Sequence, residues 1–93
     1  MEIAFDPVKN RRNIVERGLG FSRAAEMDFE TTIFFIDERK DYGEIRHIVV
    51  GYLDSRLHIL CYVECDTGIR VISFRKANMR EAHRYDKPLT INR

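Results

Sequence analysis

The stretch Leu57-His58-Ile59-Leu60-Cys61-Tyr62-Val63-Glu64-Cys65 carries the cleanest two-residue period in the chain. In an extended strand alternate side chains point to opposite faces, so Leu57, Ile59, Cys61, Val63 and Cys65 share one side. His58, Leu60, Tyr62 and Glu64 take the other, which reads as the outward side. Asp54-Ser55 precedes this strand and Asp66-Thr67-Gly68 follows it, both with turn chemistry. Arg46 to Leu53 and Ile69 to Phe74 therefore read as its two neighbours, giving an antiparallel meander.

Outward from the meander, Thr31 to Asp37 is dense in β-branched and aromatic residues and reads as a further strand, with Asp41-Tyr42-Gly43 as the turn after it. Ile3-Ala4-Phe5 is a short opening strand. Asp6-Pro7 combines an N-cap with proline at the first helical position, where its missing N–H costs nothing. The helix it opens should stop near Glu16 or Arg17, before Gly18 and Gly20. Its thin apolar stripe, Val8 and Val15 with Ile14 at the edge, predicts packing against the sheet. Ser22 is a candidate N-cap for a second short helix through Ala24, Ala25 and Met27. A last helix begins near Asn78 and fades before Pro88. The order β-α-α-β-β-β-β-α predicts one α+β domain over residues 1–93, with helices packed on a sheet.

The chain has 93 residues, 44% hydrophobic and 33% charged, with 16 basic against 15 acidic residues. This balance excludes a polybasic tail and an acidic disordered segment. The charge is nevertheless segregated. Residues 9–23 carry five basic groups and one acid, residues 24–45 seven acids and two basic groups, and residues 69–87 six basic groups and two acids. Two basic segments flanking an acidic one can build a local cationic surface for nucleic acid, or solvated helix faces. The N-terminus shows no signal-peptide pattern and no apolar run approaches a membrane span, which predicts a cytoplasmic protein without membrane contact. Cys61 and Cys65 would stand ~13 Å apart on a strand, too far to bridge, and read as buried free thiols. Neither they nor the three scattered histidines offer a ligand spacing, so neither metal nor cofactor is expected.

Three stretches resemble a known family. The opening Phe5-Asp6-Pro7-x-Lys9-x-x-x-Asn13-x-x-x-x-Gly18-x-x-Phe21 is similar to the start of the BrnT toxins of bacterial toxin–antitoxin modules. Ile69-Arg70-Val71-Ile72-Ser73-Phe74-Arg75-Lys76-Ala77, followed by Glu81 and Tyr85, resembles their C-terminal signature. Glu44-x-Arg46 before an apolar strand resembles their central arginine strand. The resemblance implies a small ribonuclease of RelE-like fold that cleaves RNA and arrests growth. It also implies neutralisation by a BrnA-like ribbon-helix-helix antitoxin, with DNA reached only through that partner. Where the family usually has Lys-His-Gly this chain has Glu16-Arg17-Gly18, and Phe74 stands where a small residue is usual.

A metal-free ribonuclease needs a base for the 2′-hydroxyl, cations for the phosphorane and an acid for the leaving oxygen. With the resemblance, Arg46 and Arg75 are the leading phosphate ligands, on strands expected to be neighbours. Arg70, five residues before Arg75, should point to the opposite face of a regular strand. Glu81 and Tyr85, four apart on the last helix, are the candidate proton carriers. Asn78-Met79-Arg80-Glu81 also has capping-box spacing, which would engage Glu81 structurally. None of His47, His58 and His83 is a convincing catalyst; each reads as a surface histidine. Lys9, Arg12, Asn13 and Arg17 could extend an RNA groove, or form a solvated helix face. Phe34, Phe35 and Phe74 could serve the antitoxin or complete the core. Two further functions stay open: a BrnT-like binding module that keeps the antitoxin interface without cleavage, and a small nucleic-acid-binding regulator.

Overall fold

The computed structural model describes residues 2–92. Strand β1 (Glu2–Phe5) leads into helix α1 (Pro7–Arg17) and a 3₁₀ turn, Phe21–Glu26. Strands β2 (Asp28–Ile36), β3 (His47–Leu53), β4 (Arg56–Cys65) and β5 (Gly68–Lys76) follow, and helix α2 (Met79–Arg84) closes the order. The fold is α+β. Its sheet is mixed, in the order β1-β5-β4-β3-β2: the expected antiparallel meander runs from β2 to β5, but β1 adds to β5 in parallel. A parallel neighbour is possible because α1, the 3₁₀ turn and three more strands intervene before the chain returns to it.

Both faces of the sheet are covered near its centre. On one face Val49, Leu53, Leu60, Val71 and Phe74 pack under Leu19, Phe21 and Ala24 from the α1 side. On the other face Ile48, Val50, Leu57, Ile59 and Cys61 pack under Ala77 and Ala82. The tail completes this second layer: the Leu57 and Ile91 amides donate to the Leu89 and Ser55 carbonyls, both at 2.9 Å. Because β4 is buried on both sides from Leu57 to Cys61, its polar-looking side is not a solvent side there. His58 is 3% exposed, against the expected surface position, and Phe74 is fully buried rather than offered to a partner. Cys61 is a buried free thiol, whereas Cys65, near the strand's end, is exposed.

Several local expectations are corrected. The stripe on α1 does not meet the sheet: Val15 is 79% exposed and Val8 and Ile14 are exposed too. Two amides dock the helix instead. Asn10 Oδ1 accepts from the Phe21 amide at 2.8 Å, and Asn13 Nδ2 donates to the Leu19 and Phe74 carbonyls at 2.9 Å each. The Asp6 cap and the stop at Gly18 (φ 65°) form as expected. The second helix is a 3₁₀ turn entered from Gly20, not from a Ser22 cap. Strand β2 starts at Asp28, before the expected Thr31, and its register shifts between Asp28 and Ile33.

Candidate active-site groove

The second face is only partly roofed, because α2 has just six residues. Beside it a groove of about 390 Å³ is lined by Phe35, Ile36, Asp37, Glu38, Arg39, Ile48, Ile59, Arg75, Glu81, Arg84 and Tyr85. Arg75 pairs with Ile59 in the β4–β5 ladder and so projects on the face that Ile59 occupies.

Three elements fix this corner. Asn78 caps α2 by accepting from the Glu81 amide at 2.9 Å, while Glu81 Oε1 accepts from the Asn78 amide at 3.0 Å, completing the capping box. The same carboxylate receives the Arg75 fork through two parallel bonds of 2.8 Å, Nη1 to Oε1 and Nη2 to Oε2. These bonds hold the Glu81 carboxyl below the usual carboxylate range despite its partial burial, and raise the Arg75 guanidinium. Tyr85, directly after the helix, stacks on Phe35 with ring centroids 5.8 Å apart.

The opposite wall is the loop between β2 and β3. Asp37, buried at its start, accepts from Arg39 Nε and Nη2 at 2.8 Å each and from the Tyr42 hydroxyl at 3.0 Å. The Arg39 bonds, more than the burial opposing them, drive its pKa far below the ordinary aspartate range. Tyr42 in turn carries Arg46, whose guanidinium carbon lies 4.0 Å from the ring centroid. Glu44 then joins Arg46, with Nε 3.5 Å from Oε1, to Arg70, whose Nη2 donates to Oε2 at 2.8 Å. One connected network thus runs along the loop from Arg39 to Arg70.

Two expectations about the arginines change. Arg46 and Arg75 are not on neighbouring strands: Arg46 immediately precedes β3, and β4 lies between β3 and β5. Arg70 shares the face of Arg75 instead of opposing it. The ladder steps from Cys61↔Ser73 to Tyr62↔Val71, so Ile72 is an extra residue and the alternation resets across the bulge. The five-residue spacing that separates Arg70 from Arg75 in a regular strand therefore brings them to one side. Arg46 and Arg75 do not converge on one free pocket; each is held by its own carboxylate.

The helix residues lie elsewhere. Lys9 and Arg12 are exposed on α1, which packs on the face bearing Leu60 and Phe74, away from the groove. Asn13 is 4% exposed, and besides its two donated bonds it accepts from Arg17 Nη1 at 2.6 Å. It is a buried internal tie between α1, the 18–20 turn and β5. Arg39 and Arg84 were missed by sequence reading, since a charged loop residue and an exposed helix residue carry no local signal.

A family model described as "Ribonuclease toxin, BrnT, of type II toxin-antitoxin system" matches residues 5–81, which covers Arg46, Arg70, Arg75 and Glu81 and stops short of Tyr85. No curated protein matches the chain. With this match over most of its length, and with three arginines, a tyrosine and three carboxylates around one open groove, the chain belongs to the BrnT family of ribonuclease toxins of type II toxin–antitoxin systems.

Proposed function

We propose that this protein is a RelE-like, metal-independent endoribonuclease, one BrnT-like domain over residues 1–93 acting in the cytoplasm to block translation and growth. Its partner on this reading is a BrnA-like ribbon-helix-helix antitoxin, through which alone it meets DNA. The observation that carries the proposal is the groove itself: Arg39, Arg75 and Arg84 border it together with Tyr85 and Glu81. Arg46 and Arg70 extend the same face along the loop.

Fixed cations beside an aromatic hydroxyl suit an RNA phosphodiester. The Arg75 fork matches two phosphate oxygens, and its present ligand, the Glu81 carboxylate, has the same shape and charge sign. A phosphate arriving on Arg75 competes with Glu81 and frees that carboxylate. Glu81 then takes the proton of the 2′-hydroxyl as the 2′-oxygen bonds to phosphorus. The bond from phosphorus to the 5′-oxygen breaks, and Tyr85 supplies the proton to that leaving oxygen. The products are a 2′,3′-cyclic phosphate and a free 5′-hydroxyl, with no further reactant needed. Arg39 and Arg84 offset charge on the phosphorane, each such donor contributing about 3 kcal/mol to the barrier reduction. Arg46 and Arg70 contact the flanking backbone, and Lys9, Arg12 and Arg17 a longer strand that wraps past the sheet edge.

The test is cleavage of single-stranded RNA by purified protein in the presence of a chelator. Fragments ending in 2′,3′-cyclic phosphate, lost in Arg75→Ala, support the proposal. Intact RNA at high protein concentration, with antitoxin binding retained, replaces it with the non-catalytic binding module.

A further inference from the structure

On the α1 side of the sheet a second cavity, of about 590 Å³, opens between Arg17–Leu19, the 53–56 turn and the end of β5. Its lining includes Arg17, Arg23, Arg56, His58 and Lys76, and Arg75 borders both this cavity and the groove. The one carboxylate lining it, Asp54, is already engaged by Arg23 through bonds of 2.8 and 3.1 Å. Arg75 is held by Glu81 from the groove side, while Arg17, Arg56 and Lys76 border the space with no further carboxylate among its described lining residues.

His58 gives the cavity a second kind of chemistry. It is directly opposite Lys76 in the β4–β5 ladder, so both side chains project on this face. Its Nδ1 lies 2.7 Å from the Arg56 carbonyl. A carbonyl oxygen only accepts, so Nδ1 carries the hydrogen and Nε2 keeps a lone pair. Burial lowers the pKa of the ring below its ordinary 6.5; the bond to the Arg56 carbonyl opposes it most, the charges of Arg56 and Lys76 add to it, and Asp54 opposes it weakly. The ring is therefore neutral at pH 7 and Nε2 is an acceptor. Beside it, Arg56 donates Nη2 to the Ala77 carbonyl at 2.7 Å, while its buried Nε has no partner.

Permanent cations next to a neutral acceptor fit a ligand with both an anion and a hydrogen-bond donor. An isolated carboxylate satisfies only the cations, and inorganic phosphate, which brings a P–OH donor on the same small centre, fills little of the cavity. A nucleotide satisfies both, and a cavity of this size is in the range that small ligands fill. We propose that this cavity is a nucleotide subsite, holding the phosphate on Arg17, Arg56 and Lys76 and a ribose hydroxyl or base N–H on His58 Nε2. Resting on the ribonuclease reading, its shared border at Arg75 makes it the seat of the nucleotide next to the scissile phosphate. Nucleotide binding itself requires no cleavage.

The experiment is titration of the full chain with adenosine 5′-monophosphate, following the histidine ring signals by NMR. The expected result is a saturable shift of the His58 ring, with adenosine and inorganic phosphate each at least about tenfold weaker. Lys76→Ala removes an exposed side chain at a strand end, leaves the backbone ladder in place, and should weaken binding at least about tenfold. An unmoved His58 ring, or equal affinity for inorganic phosphate, overturns the proposal. A hexaglutamate peptide displacing the nucleotide with equal affinity overturns it in favour of an acidic-peptide site. Failure of the ribonuclease reading has a separate signature, intact RNA with nucleotide binding preserved.

Discussion

Glu81 holds Arg75 with both carboxylate oxygens while one of those oxygens also caps the helix that carries it, at 2.8 Å and 3.0 Å. The pair is therefore a hinge between helix formation and charge. Glutamine at position 81 keeps an oxygen for the Asn78 amide and loses the charge. Because Arg75 is more than a third exposed, solvent screening limits the stability loss in Glu81→Gln to about 1 kcal/mol or less. Function should respond in two directions. With its competing carboxylate gone, Arg75 binds RNA more tightly, while cleavage falls about 100-fold or more for want of the base. Binding measured by fluorescence anisotropy and single-turnover cleavage together check this split. Weaker binding with unchanged cleavage would show that Glu81 only positions the arginine.

Asn13 carries the attachment of α1. Asn13→Ala leaves the Leu19 and Phe74 carbonyls without their partner at a site closed to water, and takes an acceptor from the exposed Arg17 guanidinium. Unmet buried polar groups cost about 1–3 kcal/mol each, so a loss of about 3 kcal/mol is expected. In a chain of this length that lowers Tm by roughly 10 °C or more, readable by circular dichroism. A change under about 2 °C would mean that the exposed stripe of α1 makes no use of this tie.

The hairpin between β3 and β4 should respond with the opposite sign. Asp54 and Ser55 both have positive φ, 51° and 64°, the arrangement of a type I′ turn. Aspartate tolerates that region, whereas serine is strained there. Ser55 contributes its backbone carbonyl to the Ile91 amide, which glycine retains. Ser55→Gly should therefore stabilise the protein by about 1 kcal/mol, with a higher denaturant midpoint at unchanged m-value.

What could be read from the sequence follows how local each signal is. The caps at Asp6 and Asn78 and the period of β4 are local, and the structure keeps them. The bulge at Ile72 is not local: neither it nor Ser73 differs in kind from a regular strand residue, so the side of Arg70 was misread. The polarity of His58 also misled, because a strand covered on both faces has no solvent side to mark. Val8 and Val15 show the converse, an apolar stripe left outside because two asparagines already dock the helix. In the groove, Arg75 and Glu81 enter through the family resemblance, and the spacing from Asn78 adds only the cap at Glu81. Arg39 enters through a loop fold in which Asp37 gathers Arg39 and Tyr42 across non-adjacent positions.

His58 also sets a pH dependence. Its native pKa lies below the ordinary 6.5, so between the two values the unfolded chain binds the extra proton. Stability is then greatest above about pH 6.5 and declines as pH falls through that value, levelling off once the native ring also protonates. The carboxylates with depressed pKa values, Asp37, Asp54 and Glu81 among them, lose their contribution only at lower pH, near their ordinary values of about 4. Urea midpoints between pH 5.5 and 8 therefore isolate the histidine. The native chain should lose stability toward the acidic end, and His58→Gln, less stable at pH 8, should show a flatter profile. Parallel profiles for the two proteins would place the titration elsewhere and remove the neutral acceptor from the second cavity.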